Sequence, residues 1–538
     1  MKTFDAVVVG SGFGGAVAAC RLAERGRSVL LLERGRRWGR QDFPRPGQPG
    51  APWWFEAEPP IPSPEARSPK HGLFEFRRFP GMSVVVAAGV GGGSLVYTNV
   101  QKVPPAAAFQ GWPAPITLDY LRPYYERVRE MLEPSPVPRE LQRLRAFQAA
   151  HAAIGKADRV ERPLLAIYWP AHRSPQGVGG GQDDEERLNR FGARQLPCNL
   201  CGLCALGCDR HSKNTLDLNY LKRAEDLGAE VRPLCQVTRI EPRGDGYEVT
   251  FREAGGREAG KQGKVTGRSL YLAAGSLGTT ELLLRARDRD RTLPKLSPRL
   301  GQGWSPNGDF FGALLDSRIP VQPTAGPSVA AGYDATDSEG FYVLEGAIPA
   351  ALVARRRRAL RILNRIVSLL RFSWGWRAAG VEPSPPACGD GETEELLRYL
   401  GVFFLMGRDA SDRSTPLGTG GRLQLNGRGT LDLDWDPRGS ELLLARMRRY
   451  LRELGRGYGG WMLVPQGWWK KGFSTVHPLG GCSMGRESSE GVCDPFGRVF
   501  GYQNVFVCDG SLLPSGIGVP PSMTIAALAE HVVAHNDR

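Results

Sequence analysis

The chain has 538 residues, of which 41% are hydrophobic and 23% charged; this composition is typical of a globular protein and excludes wholesale disorder. The 70 Lys and Arg against 56 Asp and Glu leave a net charge of +14, but eight arginines and no acidic residue fall within residues 351–380. The excess is therefore concentrated in one segment, unlike the continuous basic stripe of a nucleic-acid binder. The length predicts about two to four domains.

The first forty residues follow a strand–turn–helix–strand pattern. A short β-branched run at residues 6–9 predicts a strand buried on both faces, and an apolar run at residues 28–32 predicts a second strand that ends at Glu33. Between them Gly10, Gly12 and Gly15 have the GxGxxG spacing, which permits a tight turn, a close approach to a pyrophosphate and close packing of helix on strand. The carboxylate of Glu33 is placed to accept a ribose hydroxyl. The segment predicts a dinucleotide site without distinguishing FAD from NAD.

Later segments alternate between pieces of a nucleotide-binding fold and sheet-like material. This order favours two interleaved domains over domains strung one after another. The further predicted elements are a strand at 83–86, helical residues at 117–155, a helix at 216–227, strands near 229–240, 246–252 and 269–274, a helix at 275–284, antiparallel strands within 311–350, a strand at 504–508 and a helix at 523–534.

Motifs near the C-terminus resemble a known family. The motifs are VHPLGGCSM at 476–484, GRV at 497–499, NVFVCDGS at 504–511 and PSMTI at 521–525. In this order they resemble the glucose–methanol–choline (GMC) oxidoreductases, a family of FAD-dependent alcohol oxidases and dehydrogenases. Within the family the chain is most similar to the cholesterol oxidase branch. Residues 89–94 resemble that branch's second FAD-contacting loop, and residues 303–308 resemble its GWGPNG-like turn.

This resemblance implies FAD as the cofactor and His477 as the catalytic histidine beside the flavin. A group with a pKa near neutrality is suited to take the hydroxyl proton of an alcohol while its hydride leaves. The residues expected to contact FAD are Gly10, Gly12, Phe13, Gly14, Gly15, Glu33, Gly89, Gly92, Gly93, Ser94, Asp509, Gly510 and Pro521.

The final loop departs from the family pattern. Many relatives have Asn or His before its proline, whereas here that position is Pro520, whose side chain neither donates nor accepts. Ser522 and Ser515 are nearby candidates to replace the missing polar group.

Glu345 resembles a glutamate of the cholesterol oxidase substrate domain that acts in base or isomerase chemistry, and we include it as a catalytic candidate. A solvated strand end is the alternative interpretation.

Four cysteines crowd into eleven positions. Cys198, Cys201, Cys204 and Cys208 have the C-x2-C-x2-C-x3-C spacing of ferredoxin-type iron–sulfur ligation. A cluster of the 4Fe–4S or 3Fe–4S type is our preferred interpretation, and it favours a dehydrogenase. Zinc and structural thiols remain alternatives. In place of Cys208, the fourth ligand is open among three distant cysteines: Cys235, Cys388 and Cys493.

Residues 351–380 also combine arginines with apolar and aromatic side chains. A helix lying at a membrane surface and a substrate-domain helix with a solvated arginine face are both open interpretations. No run of about 18 apolar residues and no signal peptide are recognisable, so we expect a cytoplasmic protein, with peripheral membrane contact through this segment as an option.

We expect a hydrophobic small-molecule alcohol as substrate, an acceptor protein or quinone as electron acceptor, and no nucleic-acid partner.

The sequence therefore predicts an α/β fold in which an FAD-binding doubly wound domain is interleaved with an antiparallel-sheet substrate domain. The preferred function is oxidation of a sterol-like alcohol, with electrons leaving through an iron–sulfur cluster. The alternatives are an oxygen-using oxidase without a cluster and an FAD-containing lyase. The predicted segments are 1–100 (FAD domain, first part), 101–197 (substrate or cap segment), 198–310 (cysteine cluster and FAD domain, second part), 311–475 (substrate domain) and 476–538 (FAD domain with His477).

Overall fold

The structure is a computed structural model. The residues it describes are 2–55, 71–169, 185–254, 260–349, 397–409, 420–464 and 472–536.

The described helices lie mainly on the faces of two sheets. They are α1 (Phe13–Glu24), α2 (Leu118–Leu132), α3 (Gln142–Ala153), α4 (Tyr220–Asp226), α5 (Gly275–Leu284), α6 (Glu441–Tyr458) and α7 (Ser522–Asn536). The helical stretch predicted at 117–155 divides into α2 and α3, because Pro134, Pro136 and Pro138 occupy alternate positions soon after α2 and cannot supply backbone N–H groups to a continuing helix.

The strands of the first half of the chain are β1 (Thr3–Val9), β2 (Val29–Leu32), β3 (Phe74–Phe79), β4 (Met82–Ala87), β5 (Val160–Glu161), β6 (Arg187–Leu188), β7 (Arg194–Gln195), β8 (Glu230–Arg232), β9 (Cys235–Arg243), β10 (Gly246–Glu253) and β11 (Gln262–Leu272). Those of the second half are β12 (Phe310–Leu315), β13 (Val329–Ala335), β14 (Phe341–Gly346), β15 (Gly401–Gly407), β16 (Arg422–Leu425), β17 (Leu431–Asp434), β18 (Trp461–Leu463), β19 (Phe473–Thr475) and β20 (Val505–Val507).

The central sheet is mostly parallel. Its order is β8-β2-β1-β11, with β20 on the far side of β11 and the antiparallel pair β10 and β9 extending from the other half of that long strand. Val7 and Val8 are fully buried, as expected for a strand covered on both faces. This sheet draws strands from the start, the middle and the end of the chain, so all three segments fold into one nucleotide-binding unit.

The second sheet is antiparallel, with the order β18-β12-β15-β14-β13-β5. Helices α3 and α6 cover one of its faces: Gly312 faces Leu451 of α6, and Phe403 contacts Phe147 of α3. The predicted fold class, an α/β nucleotide-binding domain interleaved with an antiparallel-sheet domain, is confirmed.

Candidate functional site

The first glycine-rich turn joins β1 to α1 and leaves space in front of the helix. Gly10 has a φ of +96°, which favours glycine, and a side chain at Gly15 would collide with the Gly10 carbonyl. At Gly12, in contrast, a Cβ would meet no atom of the described residues within 4 Å. The first N–H groups of a helix lack intrahelical partners, so this turn has the room and the donors that a pyrophosphate requires.

Glu33 is buried at the end of β2. Its Oε2 accepts hydrogen bonds from the backbone N–H (3.0 Å) and the hydroxyl (2.6 Å) of Ser11, and its Oε1 accepts one from the N–H of Gly35 (2.8 Å). A carboxylate has about four acceptor positions, so Oε1 keeps capacity for a ribose hydroxyl. The Ser11 hydroxyl also accepts from the N–H of Gly91 (3.1 Å), which ties the first glycine-rich turn to the second.

The second glycine-rich turn packs directly on the first. A Cβ at Gly92 would lie 2.6 Å from the Cα of Gly12, so the two turns are in backbone contact. Gly93 resembles Gly12 in that a Cβ there would meet no described atom within 4 Å. The Ser94 hydroxyl accepts from the N–H of Leu216 (3.0 Å) and so holds the turn in shape.

Three further predicted cofactor residues fix the positions of these turns. A side chain at Gly14 would collide with the carbonyl at the end of β20, and one at Gly89 would collide with the ring of Trp38. The ring of Phe13 packs edge-on against that of Tyr97, with 5.5 Å between centroids. The glycines therefore permit close packing between elements that come from distant parts of the chain.

Buried polar atoms without partners lie just beyond the second turn and at the start of α7. Within the described part of the chain, neither side-chain polar atom of Asn99, neither of Gln101, and not the hydroxyl of Ser522 has a hydrogen-bond partner. Buried polar groups are nearly always paired, so such atoms fit contacts to a bound polar molecule. Asn99 and Gln101 were not predicted; their place five and seven residues after Ser94 is the signal that could have found them. This donor and acceptor set fits FAD.

The C-terminal residues predicted to contact the cofactor join β20 to α5 and α7. Oδ2 of Asp509 accepts from the N–H of Gly275 (2.8 Å), and Oδ1 accepts from the N–H of Ser511 (2.8 Å). Burial raises the pKa of this carboxyl, while these hydrogen bonds oppose the rise. Gly510 begins a short 3-10 turn, and Pro521 directly precedes α7. The Asp509 side chain is engaged inside the protein, which leaves the backbone at this point for a cofactor.

His477 follows β19 and is held by Asp309. Its Nδ1 lies 2.7 Å from Oδ1 of Asp309. The other oxygen of Asp309 accepts from the Thr475 hydroxyl (2.8 Å) and the Val476 N–H (3.0 Å), so the carboxylate is fixed from both sides. The histidine side chain is 25% exposed and Asp309 is 11% exposed. The histidine is therefore partly accessible to solvent, and its acidic partner is more deeply buried.

Asp309 is a candidate functional residue that the sequence analysis did not predict. It directly follows the 303–308 turn and precedes β12, so an acid adjoining a recognised motif was the available signal. Its partner could not be inferred, because the two residues are 168 positions apart.

The 303–308 turn also holds the final loop through Asn307, which is fully buried. Its Oδ1 accepts from the N–H groups of Ile517 (2.9 Å) and Gly518 (3.0 Å), and its Nδ2 donates to the carbonyl of Val519 (2.8 Å). One turn thus positions both the residue that holds the histidine and the loop that ends at Pro520.

The two serines proposed to compensate for Pro520 differ in their contacts. The Ser515 hydroxyl accepts a hydrogen bond from Nε1 of Trp112 (2.9 Å). The Ser522 hydroxyl is buried and has no partner among the described residues. Ser522 is therefore the serine whose hydroxyl is available to form a hydrogen bond with a bound molecule.

Glu345 is buried on β14 in an ion pair. Its Oε2 accepts from Arg143 of α3 (3.0 Å), and its Oε1 accepts from the N–H groups of Ala330 (2.8 Å) and Ala331 (3.0 Å). These two N–H groups lie at an irregularity in the pairing of β13 with β14, where the ladder leaves them available. Burial raises the pKa of Glu345, and Arg143 opposes the rise. Glu345 stabilises the junction of α3 with the second sheet.

Strand alternation places Glu345 and His477 on different faces of that sheet. Glu345 pairs with Phe403, whose ring contacts the helix layer. Asp309 lies one residue before Phe310, which is on the helix-covered face, so Asp309 and His477 belong to the opposite face. The sheet thus separates the two predicted catalytic residues; a catalytic role for Glu345 stays a prediction.

The four clustered cysteines line one pocket. Its cavity volume is about 20 Å³, and Lys213 shares the lining with Cys198, Cys201, Cys204 and Cys208. The distant alternatives Cys235 and Cys493 do not line it, and Cys388 lies outside the described residues. Burial, reinforced by neighbouring thiols, raises the pKa of Cys201 to about 12.

The cysteines do not converge on a single point. Among the described residues, no group of three or more His, Cys, Asp or Glu side chains is placed to hold one metal ion. A zinc site needs each sulfur about 2.3 Å from the metal, so the zinc alternative lacks its geometry here. The iron–sulfur interpretation likewise finds no metal-binding group among the described residues and stays a prediction from the cysteine spacing.

The arginine-rich segment 351–380 lies outside the described residues, so its two interpretations stay predictions. Among the helices that the structure describes, none has the length and apolar character needed to cross a bilayer.

Comparison with protein families gives three matches. A family model described as GMC oxidoreductase matches residues 188–288, and a second with the same description matches residues 465–529. A model described as an NAD(P)-binding Rossmann-like domain matches residues 8–45, which contain the first glycine-rich turn.

Curated relatives match the chain along nearly its whole length. A cholesterol oxidase of Acinetobacter baumannii is 28% identical over 99% of this chain and 94% of the relative. A cholesterol oxidase of Mycobacterium tuberculosis is 28% identical over 99% of this chain and 90% of its own length. A long-chain-alcohol oxidase of Arabidopsis thaliana is 25% identical over 98% of this chain and 66% of the relative.

Solved structures share the fold. A pyridoxine 4-oxidase from Mesorbium loti has a TM-score of 0.61 at 17% identity, covering 98% of both chains. A formate oxidase of Aspergillus oryzae has a TM-score of 0.62 at 14% identity, covering 99% of this chain and 98% of the other.

Proposed function

Because the chain belongs to the GMC oxidoreductase family, we propose that it is an FAD-dependent enzyme that oxidises a hydrophobic, sterol-like alcohol to a ketone or aldehyde. The observation that carries the proposal is the pair formed by His477 and Asp309. It supplies a positioned base in the motif that the family uses for catalysis.

Asp309 decides which nitrogen of His477 serves as the base. Its carboxylate accepts a hydrogen bond and cannot donate one when ionised, so the proton of the neutral imidazole stays on Nδ1. The lone pair of Nε2 is then available to take the hydroxyl proton of the alcohol. As that proton arrives, the nearby negative charge of Asp309 stabilises the imidazolium.

An apolar surface beside the pair favours a hydrophobic alcohol. Phe311 of β12 pairs with Phe404 of β15 on the same face as Asp309, two residues further along the strand. Phe404 is 42% exposed, and Val476 beside the histidine is 61% exposed. Apolar side chains that stay exposed next to a catalytic pair are suited to bury part of an apolar substrate.

The residues expected to hold FAD are the two glycine-rich turns, Glu33 and the start of α7. When bound, FAD supplies the acceptor for the hydride that the alcohol loses. The open space at Gly12 and Gly93 and the unpaired polar atoms of Asn99 and Gln101 support this assignment. Ser522 is our candidate to hold the alcohol oxygen in place of the side chain missing at Pro520.

In this proposal the four pocket cysteines hold an iron–sulfur cluster. A cluster supplies one-electron transfer to an acceptor protein or a quinone. Support comes from the ligand spacing and from the shared lining of one pocket by all four cysteines.

Anaerobic reduction of the flavin tests the main proposal. The purified holoenzyme is mixed with cholesterol or a long-chain alcohol, and the visible flavin absorbance is followed. Bleaching is expected, together with formation of the carbonyl product. A His477→Gln variant should bind FAD equally well and lose the bleaching. Absence of bleaching with every alcohol, together with turnover of a cyanohydrin, contradicts the proposal and indicates a lyase.

An oxygen-using oxidase is the second candidate function. The curated relatives compared above are named oxidases. For this candidate, oxygen consumption and hydrogen peroxide formation should match the alcohol consumed one for one, and an iron-free preparation should turn over at the same rate.

A further inference from the structure

A buried threonine at the end of β19 contacts both members of the His477–Asp309 pair. Thr475 is 1% exposed. Its hydroxyl accepts a hydrogen bond from the backbone N–H of His477 (2.9 Å) and lies 2.8 Å from Oδ2 of Asp309 and 3.1 Å from the carbonyl of Pro306. A hydroxyl has one proton to donate, and a carboxylate is a stronger acceptor than a carbonyl. The proton of Thr475 is therefore assigned to the bond with Asp309.

The backbone of Thr475 belongs to the sheet that leads into the second glycine-rich turn. In the three-stranded sheet β19-β4-β3, β19 pairs in parallel with β4, and Thr475 lies opposite Val84. Strand β4 ends at Ala87, two residues before Gly89, where the second turn begins. Since parallel strands end at the same edge of a sheet, the second turn and the histidine segment leave this sheet side by side.

Thr475 thus joins the sheet that supports the second turn to the carboxylate that holds His477. Its side chain is β-branched and has few allowed rotamers, so the strand backbone fixes the direction of the hydroxyl. Resting on the proposed function, we propose that Thr475 is a positioning residue that fixes the imidazole of His477 relative to the flavin-binding turn. It acts through Asp309, whose Oδ1 lies 2.7 Å from Nδ1 of the ring.

Removal of the hydroxyl should slow the reaction without weakening binding. Thr475→Val keeps the branched shape, but Asp309 loses one of the two donors at Oδ2 and the N–H of His477 loses its acceptor. The ring is then free to leave its productive orientation. We expect the limiting rate of flavin reduction to fall at least about tenfold, while the alcohol concentration that gives half that rate and the affinity for FAD stay within about threefold.

The test measures anaerobic flavin reduction in the holoenzyme and in the variants Thr475→Val and Thr475→Ser over a range of alcohol concentrations. Thr475→Ser keeps the hydroxyl and should restore the limiting rate to within about threefold of the wild type. The matched control is Thr336→Val. Thr336 is 4% exposed, directly follows β13 and donates its hydroxyl to Oδ1 of Asp334 (2.6 Å), so the control removes the same kind of bond and should leave the limiting rate unchanged.

A second readout does not depend on turnover. The N–H of His477 is bonded to the Thr475 hydroxyl, so its amide hydrogen exchange should quicken at least about tenfold in Thr475→Val and stay near the wild type in Thr475→Ser and Thr336→Val. If Thr475→Val does not fold, Thr475→Ser is compared with Thr475→Cys, which has nearly the same shape. Because a thiol is a weak donor and acceptor, the serine variant should reduce flavin at least about fivefold faster.

Three results overturn the inference. They are a wild-type limiting rate in Thr475→Val, a rate in Thr475→Ser as low as that in Thr475→Val, and equal rates in Thr475→Ser and Thr475→Cys. Failure of the proposed function is recognised separately, since no alcohol would then bleach the flavin of the wild type. The exchange measurement still decides in that case, because an unchanged rate at the His477 amide in Thr475→Val shows that Thr475 does not hold the histidine segment.

Discussion

Nδ1 of His477 and Oδ1 of Asp309 lie 2.7 Å apart, although the two residues are separated by 168 positions. The second oxygen of Asp309 is held by the Thr475 hydroxyl and the Val476 N–H, which belong to the two residues directly before the histidine. The carboxylate of Asp309 therefore connects residues 475–477 to the start of β12. Its orientation fixes the orientation of the imidazole ring.

The variant Asp309→Asn should lower kcat by roughly 10²–10⁴-fold, the contribution typical of a positioned general base. The two donors at Oδ2 will retain the amide oxygen, which turns the amide NH2 group toward Nδ1. The proton of the ring then moves to Nε2, and the base is lost. The measurement is the anaerobic rate of flavin reduction, with bound FAD quantified by absorbance.

Asp288→Asn is the control for this change, because Asp288 is an exposed partner of Arg287 far along the chain from the histidine. A rate of flavin reduction in Asp309→Asn equal to that of the control would refute the role of Asp309.

Gly12→Ala should weaken FAD binding at least tenfold without lowering stability. A methyl group there meets no described atom within 4 Å, and the φ of −68° is ordinary for alanine. The methyl group instead occupies the space in front of α1. Equilibrium FAD titration and urea unfolding of the apoprotein check the two statements. Gly26 also lies in open space, but its φ is +74°. Gly26→Ala should therefore lower stability and leave FAD binding unchanged.

Glu345→Gln should lower the free energy of unfolding by about 3 kcal/mol, since removal of one partner leaves a buried charge uncompensated. Arg143 is completely buried in the pair, and Glu345 is nearly so. The exposed pair of Glu441 with Arg448 provides the control, for which Glu441→Gln should cost less than about 1 kcal/mol. We expect flavin reduction by Glu345→Gln to stay within a few-fold of the wild type; its loss in a stable variant would favour catalysis instead.

Acid should destabilise the second domain through His151. This histidine is fully buried between Phe147 and Tyr450, and burial lowers its pKa from 6.5 to about 4. Below pH 6.5 the unfolded chain binds a proton that the folded chain rejects, so stability falls as the pH drops toward 4. At pH 5 the loss from this residue is about 2 kcal/mol.

Urea unfolding at pH 8 and pH 5 measures this loss. The difference between the two pH values should shrink by that amount in His151→Gln. An unchanged difference would show that His151 is not a source of the acid sensitivity.

Local patterns predicted the nucleotide-binding fold well. The β-branched run of β1, the glycine spacing and the apolar helix that follows lie within about 25 residues, and their structure depends on neighbours in sequence. The helical stretch at 117–155 was predicted less well, because apolar periodicity continues past three closely spaced prolines that end α2.

Glu345 shows where sequence patterns stop being informative. Side chains on a strand alternate between faces, so a shift of one residue moves a carboxylate from the substrate side to the helix side. The pairing of β14 with β15 decides the face, and the partner strand is nearly sixty residues away.

The sequence by itself predicted the family resemblance, the two glycine-rich turns and the candidate catalytic histidine, because each of these lies in a short motif whose geometry is local. Tertiary structure alone decided that Asp309 holds His477, that Glu345 pairs with Arg143, and that Lys213 bonds carbonyls of both the cysteine pocket and the segment after the second glycine-rich turn. These contacts depend on strand register and on the packing of distant segments, which bring together charges that no spacing along the chain reveals.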